Sequence, residues 1–338
     1  MIEVDGAIGY GQVLRTAIGL SVLLKKPVRI FNIRKGRPKP GLMPQHLTGV
    51  KVASEFCNAE IKGLELGSTE IEFVPKSLGV VEKKVDIGTS GSIGLLLQTL
   101  TPFLVFTDAK LEIKGGTSGL GAPSVEYLKH VTYPNLSKLR IEQPEIEVVQ
   151  QGFYPKGNGI VRIAFKPSKK LTALVAYSRG KVKQVKGISI VGSLPHHVLE
   201  RQTNAAIKVL KDYGLDAEVV PSHVKTLSPG TSITLWAECE NAVIGADAIG
   251  KKGVRAETVG EECARELIKS LESKAALDKY MADQIIPFLA IAEGRSEITV
   301  EDVTEHCRTN MKVVESMLPV KFEVEGNKIS VEGLGIRL

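Results

Sequence analysis

Seven consecutive residues, Thr304-Glu305-His306-Cys307-Arg308-Thr309-Asn310, bring a histidine together with hydroxyl, amide and guanidinium side chains. They lie between a strand-like run, Glu297–Glu301, and a helix-like run in which Val313, Val314, Met317 and Leu318 recur at helical spacing. That pattern puts His306 where a strand passes into a helix, with Thr309 or Asn310 as the N-cap and Pro319 as the stop. Free N–H groups and a partial positive charge at a helix start attract phosphate, and an imidazole beside them can attack phosphorus. A lone histidine at such a place is more often structural, so the rest of the chain has to supply the argument.

Several other stretches carry chemically useful side chains. The turn from Asp5 to Arg15, Asp-Gly-Ala-Ile-Gly-Tyr-Gly-Gln-Val-Leu-Arg, opens a helix directly after a strand; it matches neither the dinucleotide fingerprint nor the Walker pattern, yet it sets Arg15 in an otherwise apolar helix. The run Ile33–Gly41 follows a strand and holds Arg34, Lys35, Arg37 and Lys39 among Gly and Pro, which forbid a helix. Those charges ride on an extended loop that could face phosphates or simply water. Gln45 and His46 begin the next helix, close to that loop. Gln98 interrupts an apolar helix and needs hydrogen-bond partners, from the core or from a ligand. A second glycine-rich turn, Gly115–Pro123, sits at a strand end. On a later helix Tyr280, Asp283 and Gln284 share one side, and Pro287 removes the N–H that would bond the Asp283 carbonyl. A tyrosine with two such neighbours suits a purine base, or is a core residue with a wetted hydroxyl.

Composition bounds these readings. The chain has 338 residues and a formal net charge of +6, which permits a polyanionic partner without requiring one. Its longest apolar runs, Leu95–Leu97 and Pro102–Phe106, are far short of a membrane span, and no signal peptide is visible before Ile2–Asp5. Cys57, Cys239, Cys263 and Cys307 are scattered, which fits reduced cytoplasmic thiols rather than a zinc site or disulfide frame.

The elements needed to position these residues recur in a fixed order. A strand at Ile2–Asp5, a helix at Gln12–Leu24, a strand at Val28–Ile33, a helix at Gln45–Cys57 and strands near Glu60–Gly63 and Glu70–Val74 read as βαβαββ. The order returns with strand Val80–Ile87, helix Ser92–Val105, strand Lys110–Lys114, helix Ser124–Leu139 and strands Glu145–Gln150 and Gly159–Phe165. A third copy starts at strand Thr172–Tyr177 and resumes with helix Ala275–Ala292, strand Glu297–Glu301, helix Asn310–Leu318 and strands Lys321–Glu325 and Lys328–Glu332. The skipped residues, 181–274, read as an inserted domain: strand Ile188–Gly192, helix His197–Asp212, strands Ala217–Pro221 and Ser232–Glu238, helix Ala256–Leu271. The expected fold is therefore α/β (α+β): three βαβαββ repeats forming a large domain over 1–180 and 275–338, with a small α/β domain inserted in the third repeat.

Six segments in order, Asp5-Gly-Ala with Gly11–Arg15, Ile33–Leu42, Gln45–Thr48, Gly152–Pro155, Tyr280–Gln284 and His306–Asn310, resemble the RNA 3′-terminal phosphate cyclase family, and the likeness covers nearly the whole chain. The resemblance implies conversion of an RNA 3′-phosphate end to a 2′,3′-cyclic phosphate at the expense of ATP, with His306 forming a covalent His–AMP. It implies adenine near Tyr280 and Pro123, with Met281, Ala282, Asp283, Gln284 and Gln98 completing the nucleotide site, and Arg15, Arg34, Arg37 and Gln45 holding phosphate oxygens. It further implies ATP and a divalent cation, Mg²⁺ or Mn²⁺, as cofactors, a 3′-phosphorylated RNA as partner, no membrane and a cytoplasmic location; the oligomeric state stays open, a homodimer included. The metal ligands stay unknown, because Tyr10 stands near the position of the family's metal-associated Glu in a loop about two residues shorter, leaving Asp5 and Asp283 as outer-shell candidates. A later loop also departs, with Gln151 where Arg or His is usual and Gly157-Asn-Gly159 for three glycines. Two other readings share the architecture: a non-catalytic cyclase-like ribosome-biogenesis protein, which would lack His306, and an enolpyruvyl transferase, which would need no inserted domain.

Overall fold

The computed structural model of the chain describes residues 1–338 apart from Ile8, Val80, Thr89 and Leu338; the side chains of Tyr10 and Val81 also lie outside the description. The strand start expected at Val80 therefore falls outside the described residues, as does Thr89 of the glycine-rich stretch before Ser92.

The first repeat contains β1 (Ile2–Asp5), α1 (Tyr10–Leu24), β2 (Val28–Phe31), α2 (Pro44–Cys57), β3 (Glu60–Lys62) and β4 (Ile71–Val74). The second contains β5 (Val81–Asp86), α3 (Ile93–Leu104), β6 (Ala109–Gly115), a helical stretch over 125–139, β7 (Glu145–Gln150) and β8 (Gly159–Phe165). That stretch is not one regular helix: α4 (Val125–Tyr127) widens into a π turn (Leu128–Thr132), then narrows through α5 (Tyr133–Leu136) to a 3-10 turn (Ser137–Leu139). Pro134 has no N–H to give the ladder, and the wide turn lies immediately before it.

The third repeat opens with β9 (Val175–Ala176) and is interrupted by β10 (Val182–Gly192), α6 (His196–Asp212), β11 (Ala217–Val224), β12 (Gly230–Cys239), β13 (Val243–Ile249) and α7 (Ala256–Glu272). It resumes with α8 (Lys279–Ile291), β14 (Glu293–Thr299), α9 (Glu305–Met317), β15 (Phe322–Glu325) and β16 (Lys328–Leu334).

Pairing confirms the repeat independently of element order. In each copy the first strand runs parallel to the second, the second pairs antiparallel with the fourth, and the fourth with the third: β1-β2-β4-β3, β5-β6-β8-β7 and β9-β14-β16-β15. One apolar core joins all three copies, with Ala17 and Ile18 of α1, Leu97 and Leu100 of α3 and Ile285 and Leu289 of α8 fully buried in it. The interrupting segment has its own four-stranded sheet, β11-β10-β12-β13, and its own core around Leu210, Leu235, Ala264 and Leu267.

Three expectations need correction. Strand β13 was not anticipated; its edge faces the rest of the chain, where Asn135 exchanges two hydrogen bonds with the Val243 backbone and Asp278 accepts from the Gly245 N–H. Side chains there take the place of a neighbouring strand. Second, β14 begins at Glu293 rather than Glu297, because its early residues pair with β16 and the Glu293 N–H bonds the Leu171 carbonyl. Third, α9 begins at Glu305, capped by Thr304, whose Oγ1 accepts from the Cys307 N–H at 3.2 Å. Thr309 and Asn310 are buried inside that helix and cap nothing.

Candidate active site

His306 is thus the second residue of α9, exposed at the helix N-terminus. What fixes that helix is Asn310, one turn on. Its Nδ2 donates to the Asp283 carbonyl at 2.6 Å, the acceptor that Pro287 leaves without a helical partner. Its Oδ1 accepts from Thr16 of α1 at 2.6 Å. One buried amide therefore ties the first and last repeats together beneath the histidine. Asn310→Ala is expected to destabilise the fold by about 2–4 kcal/mol in urea unfolding, since a buried carbonyl and a buried hydroxyl both lose their partner. A loss under about 0.5 kcal/mol would contradict this role.

His306 lines a cleft of about 1330 Å³ together with Arg15, Arg34, Arg37 and Gln45. The cleft is walled by the first repeat, by loops of the second and by residues 229–230 and 249–252 of the interrupting segment. Arg15, Arg34, Arg37, Lys39, Lys251 and Lys252 line it, and among the described lining residues there is no aspartate or glutamate. So many cations, with no acid among the described lining residues, make a site for a polyanion.

The deepest part of the cleft is built around Arg15. Burial lowers its guanidinium to about 10, with Asp283 acting in the opposite sense, so Arg15 is charged at neutral pH. Its Nε, like Oε1 of Gln12, is buried without a partner among the described residues. His46 completes this corner. Its Nδ1 accepts from the Met43 N–H at 3.1 Å, which leaves the proton on Nε2. Burial, then Arg15 and Arg34, push the imidazole down to about 4, so it is a neutral donor. A Cβ on Gly11 would stand 2.5 Å from His46 Nε2 and 3.0 Å from Arg15 Nη1, so this turn must lack a side chain for both donors to reach the same space. Arg34 is held with φ +55 and donates to the Gly41 carbonyl at 2.8 Å. Burial and Arg37 lower its guanidinium from its ordinary value. The sequence reading put His46 near the basic loop without giving it a role; the signal for one was its third place in α2, from which it caps the helix.

The remaining expected site residues do not share that cleft. Gln98, Asp283 and Gln284 line a separate cavity of about 40 Å³ with Gln12, Arg15 and Asn310, room for a few waters and not for a purine. Met281 and Ala282 are fully buried in the main core, so their side chains meet only protein. Tyr280 is 46 % exposed, edge-on to Tyr127 with the Lys279 ammonium 5.0 Å over its ring. Pro123 lines neither cavity. Asp5 ends β1, its Oδ1 accepting from the Ala7 N–H and from Asn32. Asp283 is bonded by Gln12 and pushed up to about 7, chiefly by burial. Neither carboxylate reaches the cleft, and no metal-holding group of His, Cys, Asp or Glu occurs among the described residues. Mg²⁺ is usually held by one or two carboxylates together with substrate phosphates and water, and the described residues lining this cleft supply no such carboxylate.

Residues 7–324 match the family model for RNA 3′-terminal phosphate cyclase. The chain belongs to that family. Curated relatives bearing the same name include a protein of Methanopyrus kandleri, 45 % identical over 97 % of this chain and 96 % of its own length. Another, from Pyrococcus furiosus, is 46 % identical over 96 % of each, and one from Archaeoglobus fulgidus is 44 % identical over 98 % of this chain and all of its own. The chain is accordingly an enzyme of the cyclase family.

The points at which this member departs from the family pattern have local structural reasons. Gln151 is buried, accepting from Thr117 Oγ1 at 2.6 Å and donating to the buried Glu126 at 3.2 Å. Asn158, in place of a glycine, has φ +65, a conformation asparagine tolerates better than most residues. The loop it closes carries Phe153–Pro155 to the cleft. No helix of the described residues is long and apolar enough to cross a membrane.

Proposed function

We propose that this cyclase closes the 3′-phosphate end of RNA into a 2′,3′-cyclic phosphate, consuming ATP through a covalent adenylate on His306. The observation that carries the reading is a histidine on a helix N-terminus that shares a cleft with Arg15, Arg34, Arg37 and Lys39 and, among the described residues, with no acid. An imidazole nitrogen attacks the α-phosphorus of ATP, and the bond to pyrophosphate breaks. An oxygen of the RNA 3′-phosphate then attacks the phosphoramidate, His306 leaves, and the RNA end carries AMP. Finally the adjacent 2′-oxygen loses its proton, attacks the 3′-phosphorus and expels AMP. The detour is chemically necessary, since a phosphate monoester is a poor electrophile until a good leaving group is attached.

In this scheme Arg15, Arg34 and Arg37 hold phosphate oxygens by charge-assisted hydrogen bonds, and Gln45 and the neutral His46 add donors. The half-exposed Tyr280 ring offers a stacking face for adenine, with Gln284 next to it on α8, its Nε2 donating to the Tyr280 carbonyl. No step is routed through a metal. The non-catalytic alternative is disfavoured by His306 itself.

The test is incubation with ATP labelled in its α-phosphate and an RNA ending in a 3′-phosphate. An acid-labile label on the protein, a phosphatase-resistant RNA end, and AMP and pyrophosphate as products are expected. Absence of both the protein label and the resistant RNA end would overturn the reading.

A further inference from the structure

The cleft is larger than the reaction centre needs. Ordinary small-molecule pockets run from roughly 300 to 1,000 Å³, and this one reaches about 1330 Å³ because it continues from His306 to the interrupting segment. At that far arm stands Tyr154, 78 % exposed in a loop that is otherwise firmly anchored. Its neighbour Phe153 is buried; a Cβ on Gly230, at the start of β12, would stand 2.4 Å from that ring. The Lys156 N–H bonds Ser228 Oγ at 3.0 Å, a second attachment to the same segment. Opposite lies the turn after β13, closed by the Val254 N–H on the Lys251 carbonyl and pinned by the Gly250 N–H on the Thr231 carbonyl. It presents Lys251 and Lys252, both exposed, and among the described residues neither has an ion-pair partner. An aromatic face and two cations without an ion-pair partner among the described residues are thus held on one footing, residues 228–231, and line the same cleft as Arg15, Arg34 and Arg37.

We propose that this arm is a subsite for the single strand of RNA leading to the 3′ end: one base stacks on Tyr154, and Lys251 and Lys252 neutralise backbone phosphates. The inference rests on the cyclase reading for what lies at the His306 end. Stacking on an aromatic with charge beside it suits any base, so the subsite binds RNA without selecting sequence. Two separate parts of the chain, a second-repeat loop and the inserted segment, line this arm together, which gives the insertion a task in substrate binding.

The experiment is fluorescence anisotropy with two 3′-phosphorylated single-stranded RNAs, a dinucleotide and an oligomer of about eight nucleotides, on the full chain across a salt series. The wild type is expected to bind the oligomer at least about tenfold more tightly. Lys251→Ala with Lys252→Ala should remove most of that advantage and reduce the slope of log affinity against log salt by about 1.4, two single-strand contacts at roughly 0.7 each. Tyr154→Ala should weaken oligomer binding by about tenfold with the slope unchanged. In both variants dinucleotide affinity and labelling of His306 by ATP should equal wild type. Unchanged length dependence in both variants, equal weakening of the dinucleotide, or a duplex that binds as well as the single strand would overturn the subsite. Loss of labelling in the wild type with the length dependence intact would overturn the catalytic reading and leave the subsite standing.

Discussion

His306→Ala is expected to abolish the covalent label and to lower cyclisation by roughly 10⁴-fold or more, the scale on which loss of a covalent nucleophile acts, while unfolding free energy stays within about 0.5 kcal/mol of wild type. The two halves of this expectation have separate structural grounds. His306 is exposed at the second position of α9, and the helix keeps its Thr304 cap and its Asn310 bridge without it. No neighbour can take over the chemistry. Cys307 is buried with its thiol against the Ala282 carbonyl and is pushed up to about 12 by burial, so it offers neither access nor thiolate. His46, the other imidazole of the cleft, uses Nδ1 to cap α2 and carries its proton on Nε2. His306→Asn should behave as the alanine variant does. Residual labelling in either, mapped by peptide analysis to another residue, would move the nucleophile; label and turnover at wild-type level would end the assignment.

The second large effect is on stability. Asp283→Asn should stabilise the protein at pH 8 by up to about 4 kcal/mol, and the gain should vanish below about pH 4. The sign follows from the direction of the shift: burial raises this carboxyl to about 7 from an ordinary 3.8. Below pH 4 folded and unfolded chains both hold the proton. Between pH 4 and 7 the native state keeps a proton the unfolded chain has released, so wild-type stability falls as pH rises. Above 7 the loss is complete. Asparagine mimics the protonated form and can still accept from Gln12, so it escapes that loss. Urea unfolding of both proteins from pH 4 to 8 measures the gap directly; parallel curves would show that Asp283 is not held neutral by its surroundings.

Much of the fold was legible because the repeat is written in element order, and order survives errors in boundaries. The misses share a cause. Gly and Asp are types depleted in strands, yet Gly245 and Asp247 lie in the unanticipated β13, where the Gly245 N–H donates to Asp278 and Asp247 accepts from Ser124 and Thr234. Their types answer to partners more than thirty and a hundred residues away in the chain. Likewise Thr309 and Asn310 have the composition of a cap, but distant contacts claim both. At the site, cations on an extended loop and a polar residue in an apolar helix were visible signals, and Arg15, Arg34, Arg37, Gln45 and His306 do converge. Periodicity says nothing of volume, so it could not separate the cleft from the small cavity that holds Gln98, Asp283 and Gln284. Nor could it find Tyr154 or Lys251, whose meaning comes only from what lies across from them.

The bond between Thr16 and Asn310 joins residues 294 positions apart. On the ribosome, then, the arginines of the first repeat emerge long before the helix that completes their cleft. Until α9 has cleared the exit tunnel, α1 has no Asn310 to bond and the arginines have no His306 in their cleft. Closing so long a span makes assembly of the centre a late event in folding. A chain that stops short of α9 therefore carries the arginines of the cleft without the helix that completes it.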